Sequence, residues 1–165
     1  MENSIQEKTG TAITSEALLE DWQGHRRLTR RVIEAFPEKD LFEFSIGGMR
    51  PFSELAMEMI MMAGPGIEGV ATKKWKQFGE GTEISKPKSR EEILKLWDEA
   101  TEKIDKLWPT IPAERFQEVE AAFGQYENPI YATILYFIDN EIHHRGQGYV
   151  YLRALGIEPP YFWER

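Results

Sequence analysis

The segment from Pro129 to Leu155 constrains this chain most. It is 27 residues long, has no proline after its first position, meets Gly156, and is barred from continuing by Pro159-Pro160. Glycine just past a helix end and proline a few residues beyond are stop signals with a physical basis. The helix they delimit is roughly 40 Å long at 1.5 Å rise per residue. An element of that length buries its apolar faces against partners of similar length, which points to a helical bundle.

Three further amphipathic stretches can supply the partners. The first spans about Ser15 to Ala35, with Ser15 as expected N-cap and Glu16 placed to meet the helix dipole. Leu18, Trp22, Val32 and Phe36 form its apolar stripe, and Pro37 stops it. His25 and Thr29 fall inside that stripe. The second stretch opens at Pro51, is apolar through Ala63, and is expected to break at Gly64-Pro65-Gly66. A long connection follows to about Pro87, with one short helix expected around Lys73–Phe78. The third opens on Ser89-Arg90-Glu91-Glu92, a capping-box pattern, and keeps a 3.6-residue period from Ile93 to Trp108 before Pro109. Strand signals are weak: short alternations at Phe42–Ile46 and Phe116–Val119 allow a small hairpin at most. The expected fold is all-α, a four-helix bundle with a long crossover between the second and third long helices. Residues 15–165 form its single domain, and residues 1–14 a loose N-terminal tail.

Composition excludes several function classes. The net charge of −8 disfavours binding to nucleic-acid backbones, which needs excess Lys and Arg. Arg26-Arg27 with Arg30-Arg31 reads as a solvated helix face. With no cysteine, disulfides, thiolate metal sites and cysteine nucleophiles are absent. No apolar run approaches the ~18–20 residues of a membrane span, and the polar first 14 residues lack a signal-peptide core. A cytoplasmic protein is expected. No glycine-rich phosphate loop or nucleophile elbow is present.

Bundle sites are built from polar side chains that point inward from facing helices. On the last helix, Thr133, Phe137, Asn140, His144, Gln147 and Tyr151 form a stripe roughly opposite Ile134, Ile138 and Ile142. Asn140 and His144 are four apart, so both can reach one point. Gly146 and Gly148, unfavourable inside a helix by roughly 1 kcal/mol each, make sense where something approaches closely. On the second long helix Glu58 interrupts a methionine-rich apolar run and must stay at the rim, find a partner or bind a cation. Periodicity alone leaves simpler readings open: an exposed edge for Glu58, a hydrogen-bonded and a surface imidazole for His144 and His143, and a satisfied core histidine for His25.

The run Asn140-Glu141-Ile142-His143-His144-Arg145-Gly146-Gln147, followed by Tyr149-Val150-Tyr151-Leu152-Arg153-Ala154-Leu155-Gly156 and Pro159-Pro160, resembles the C-terminal signature of the DinB/YfiT-like family. Met49-Arg50-Pro51-Phe52-Ser53-Glu54-Leu55 is similar to that family's second conserved block, and Trp22 with Thr29-Arg30-Arg31 fits its first helix. The likeness covers about residues 15–163. It implies a four-helix bundle with a crossover, often dimeric, and a divalent metal held by three histidines. One of these comes from the second long helix and two, spaced by four, from the last. Carried onto this chain, the triad becomes Glu58, Asn140 and His144. His143 matches a non-ligand histidine, and Gln147 and His25 are placed as groups flanking the site. A carboxylate, an amide and one imidazole make a harder and weaker site than three imidazoles, suited to zinc, nickel or manganese if a metal is held at all.

Two readings follow, and enzyme status stays open between them. By resemblance the chain is a metal-dependent protein, a thiol-dependent transferase or hydrolase acting on a small molecule. Alternatively it is a non-catalytic small-molecule-binding or stress-associated bundle that has lost the metal. Under both, a homodimer is expected because the last helix is apolar on more faces than one core needs, and neither nucleic acid nor membrane is a partner.

Overall fold

The computed structural model describes residues 11–77 and 86–165. Its long helices are α1 (Ser15–Ala35), α3 (Phe52–Thr72), α4 (Arg90–Leu107) and α5 (Ile130–Ala154); α2 (Glu38–Glu43) is one short turn between α1 and α3. Strands β1 (Val119–Ala122) and β2 (Tyr126–Pro129) form an antiparallel hairpin that leads directly into α5.

The long helices pack in the cyclic order α1–α4–α3–α5. Side-chain pairs fix their directions. Gln23 bonds Asp105 while Arg30 bonds Asp98, so α1 and α4 are antiparallel. Gly64 lies against Ala100 and Glu68 pairs with Lys103, so α3 and α4 run parallel. Phe52 meets Gly148 and Gly66 meets Phe137, so α5 opposes α3. Two parallel neighbours in succession require the chain to travel back along the bundle, which is the long crossover expected between α3 and α4.

Local chemistry explains most boundaries. The α1 cap is Thr14 rather than Ser15: its hydroxyl accepts from Ala17 N at 3.1 Å, and Ser15 is the first helical residue. Ser89 caps α4 by accepting from Glu92 N at 3.1 Å. The Glu92 carboxylate reaches back one residue further than a capping box requires, to Lys88 N at 2.6 Å. At the end of α5, Ile157 N donates to Leu152 O and Gly156 N to Arg153 O while Gly156 takes φ +77°. That is a Schellman motif, and the left-handed turn is why glycine stands there.

Three further expectations fail. The helix begun at Phe52 does not break at Gly64-Pro65-Gly66 but continues to Thr72. An interior proline costs about 3 kcal/mol. Continuing the helix buries Ile67 and Val70 completely, contributing about 1.5–3 kcal/mol each. Gly66 is instead a point of close approach, since a Cβ there would fall 2.6 Å from the Phe137 ring, whereas a Cβ on Gly64 would meet Ala100 at an ordinary 3.7 Å. Next, residues 73–77 are not helical; Lys73 adopts φ +61° and ends α3, and Phe78 lies outside the described residues. Finally, the hairpin is built from residues 119–122 and 126–129, whereas Phe42 belongs to α2 and Phe116 to a 3-10 turn. Its turn places Phe123 at φ +53° and Gly124 at φ +73°. The strained Phe123 is held by burial, its ring 5.5 Å from that of Trp75 and 6.2 Å from that of Phe137. The tail expected at 1–14 lies outside the described residues as far as residue 10.

Candidate functional site

Glu58 sits in the second turn of α3, and the polar stripe of α5 faces it. His144 Nε2 lies 2.9 Å and Asn140 Nδ2 3.2 Å from the same carboxylate oxygen, Oε1. The structure thus brings Glu58, Asn140 and His144 to one point. Nothing in the periodicity singled out the fourth member, Arg50, whose Nη2 donates to Glu58 Oε2 at 2.5 Å. The Arg50 backbone carbonyl accepts from the Tyr151 hydroxyl at 2.9 Å, so α5 also fixes the segment that carries the guanidinium. A signal was available: Arg50 precedes the opening proline of an apolar helix that carries an isolated carboxylate eight residues on.

The electrostatics follow from this arrangement. Burial opposes ionisation of Glu58, but the hydrogen bonds from Arg50, His144 and Asn140 outweigh it and hold the carboxyl at about 2. At neutral pH the group is a carboxylate with no proton to give and little basicity. His144 is buried, with Nε2 committed to Glu58 and Nδ1 without a hydrogen-bond partner among the described residues. Asn140 Oδ1 is likewise buried and unpartnered among them.

The donor set does not fit a divalent metal held as in a three-histidine site. Oε1 already accepts twice, and Oε2 is paired with a guanidinium whose positive charge would repel a dication. Among the described residues no group of three His, Cys, Asp or Glu is placed to hold a metal ion.

The other candidate residues make no hydrogen bond to Glu58. His143 is exposed, its ring 5.1 Å from that of His144 and edge-on to it, with Nε2 3.1 Å from Gln147 Nε2. His25 belongs to a buried polar network between α1 and α5. Arg145 Nη2 donates to His25 Nδ1 at 3.0 Å, and Arg145 Nη1 bonds the Thr29 hydroxyl at 3.1 Å. Thr29 in turn donates to Glu141 at 2.6 Å. Burial first, then Arg145 and Arg165, push the His25 imidazole down to about 4, so it is neutral at physiological pH. The network also overturns the solvated-face reading for Arg26. That side chain is fully buried, lies 3.5 Å from the centre of the Trp97 ring and pairs with Glu141 at 3.4 Å. Arg30 and Arg31 stay nearer solvent, paired with Asp98 and Glu164.

Glu58 also borders a groove of about 810 Å³ between α3, α5 and the hairpin, walled by Met62, Phe123, Tyr126, Tyr136 and Phe137. The sequence model of the DinB family matches residues 1–164. The chain belongs to the DinB family. Solved structures agree at the level of fold. A DinB-like protein from Bacillus subtilis superposes with a TM-score of 0.73 at 19% identity, covering 90% of this chain and 99% of that one. One from Bacillus cereus gives 0.69 at 19% identity, with 90% and 97% covered. A DinB family member from Exiguobacterium sibiricum gives 0.70 at 19% identity, with 91% and 98% covered. No curated protein matches the sequence. This DinB chain differs from the expectation of the resemblance in its cation: a guanidinium sits on Glu58 where the family pattern calls for a metal.

Proposed function

We propose that this DinB protein binds a small organic molecule in the groove beside Glu58 and does so without a metal. The observation that carries this reading is the Arg50 guanidinium on Glu58 Oε2, with His144 and Asn140 on Oε1. The carboxylate itself is satisfied by protein donors alone and forms an end wall for the groove, while Asn140 Oδ1 and His144 Nδ1 keep no partner among the described residues. The groove has the size and mixed lining of a small-molecule site. No helix among the described residues is long and apolar enough to cross a membrane, which fits a cytoplasmic protein.

The test is metal content and metal response in protein purified without a histidine tag. Elemental analysis is expected to find zinc, nickel and manganese well below one per chain, with no shift in melting temperature when each is added. One equivalent of tightly held metal would overturn the reading. A double variant, Arg50→Ala with Asn140→His, removes the guanidinium and adds an imidazole. It is expected to gain a calorimetric zinc-binding isotherm that the parent lacks.

The alternative, a metal-dependent transferase or hydrolase using a small thiol, has one observation in its favour. Glu58, Asn140 and His144 converge as a ligand triad would. It requires Arg50 to leave Glu58. Homodimerisation belongs to both readings. Tyr131, Leu135 and Ile142 share one exposed face of α5, an apolar surface suited to a second copy.

A further inference from the structure

The groove beside Glu58 has a chemical character that goes beyond its size. Its walls carry four aromatic rings, of which Tyr126 and Tyr136 are more than half exposed. Its two charged lining residues are both acidic, Glu58 and Asp139, and no lysine or arginine lines it among the described residues. Arg50 largely neutralises Glu58, leaving Asp139 as the uncompensated charge; Asp139 makes no ion pair among the described residues.

A separate observation marks this surface as built for a ligand. Thr133 lines the groove, is 4% exposed, and its hydroxyl has no hydrogen-bond partner among the described residues. A threonine inside a helix ordinarily bonds back to the carbonyl four residues earlier. This one does not, and an unsatisfied buried hydroxyl costs about 1–3 kcal/mol. A bound molecule with a donor or acceptor at that depth would remove the cost.

Resting on the groove-binding reading, we infer that the ligand is a small organic cation, an ammonium group carried on an apolar or aromatic body. The π-faces of tyrosine and phenylalanine attract a cation and repel an anion, and a carboxylate at the mouth adds to both effects. The apolar body packs on Met62 and Phe137, and Thr133 meets a polar atom of the ligand.

Three probes of one shape test this: 3-phenylpropylammonium, 3-phenylpropanol and 3-phenylpropionate. Each is titrated by calorimetry and by the methyl NMR signals of Met62 and Thr133. The ammonium is expected to bind at least about fivefold tighter than the alcohol, the carboxylate weakest, as one cation–π contact implies. Asp139→Asn and Tyr136→Leu, both at exposed positions, should narrow the gap between ammonium and alcohol without lowering the melting temperature. If the alcohol or the carboxylate binds as tightly as the ammonium and shifts the same methyl signals, the cation inference falls and the groove reading stands. Ammonium binding that ignores both substitutions also overturns the inference. If none of the probes moves those signals at millimolar concentration, the inference and the groove reading fail together.

Discussion

Replacing Glu58 by glutamine tests the electrostatic account of the site most directly. Glutamine keeps the size and one acceptor oxygen but cannot form the ion pair with Arg50. Lowering the carboxyl from 4.5 to about 2 on folding corresponds to at most about 3 kcal/mol of stability. The side chain is 24% exposed and Arg50 48%, so solvent screening reduces this to about 1–2 kcal/mol. The sign is fixed by the direction of the depression. The contribution is fully present above the unfolded carboxyl range, near pH 5, and disappears as the pH falls towards 2. Urea denaturation of parent and Glu58→Gln at pH 6, 4 and 2.5 reads it out. The variant should be less stable by about 1–2 kcal/mol at pH 6, and the difference should shrink to about a quarter of that at pH 2.5, just above the folded value of about 2. A deficit of equal size at both extremes would mean that Glu58 acts through packing, and the account of an ionised, triply bonded carboxylate would be wrong.

The two glycines of α5 should behave oppositely. A Cβ on Gly148 would fall 2.5 Å from the Phe52 ring, so Gly148→Ala should destabilise by about 1–3 kcal/mol in urea titrations. Gly146 faces open space within a helix, and Gly146→Ala should stabilise by about 0.5–1 kcal/mol. Arg26→Met removes the nearer of two buried ion-pair partners of Glu141, leaving Arg145 at 3.9 Å, and should cost at most about 3–5 kcal/mol in the same assay, part of it recovered when Glu141→Leu is added. A double variant as unstable as the sum of the singles would contradict that pairing. Sedimentation at micromolar concentration should give a dimer that Leu135→Asp converts to monomer; a monomeric parent rejects the α5 interface.

The fold was readable where the signal is local and strong. Proline, Gly156 and the Ser89 pattern bracket α4 and α5 because capping is decided by the nearest few residues. The Gly64-Pro65-Gly66 segment does not interrupt the helix because the meaning of Gly66 is tertiary: it admits the Phe137 ring, a contact that sequence spacing does not reveal. Arg26 was misread for a similar reason. Periodicity places it beside the core of α1, but only the Trp97 face and Glu141 make its burial tolerable. For the site, the helical spacing of Asn140 and His144 and the misplaced carboxylate of Glu58 were legible. Arg50 has only its place before the opening proline of α3 to mark it, because its reach to Glu58 depends on how that segment is pinned by Tyr151. The open hydroxyl of Thr133 is invisible to any pattern, since threonine usually satisfies itself on its own helix.

The polar contacts across α3 and α5 join residues 82, 86 and 101 positions apart in the chain. The Arg26–Glu141 contact spans 115 positions and the contact of Arg145 with His25 spans 120. Each closes a loop that contains most of the bundle, so the entropic cost must be met before any of them forms. The cluster therefore cannot template the fold. It assembles only after α5 has docked, and it comes apart with the whole bundle rather than with a local segment. A molecule held between α3, α5 and the hairpin would thus stabilise the chain globally, by RT ln(1 + [L]/Kd), and raise a single cooperative melting transition instead of quieting one loop.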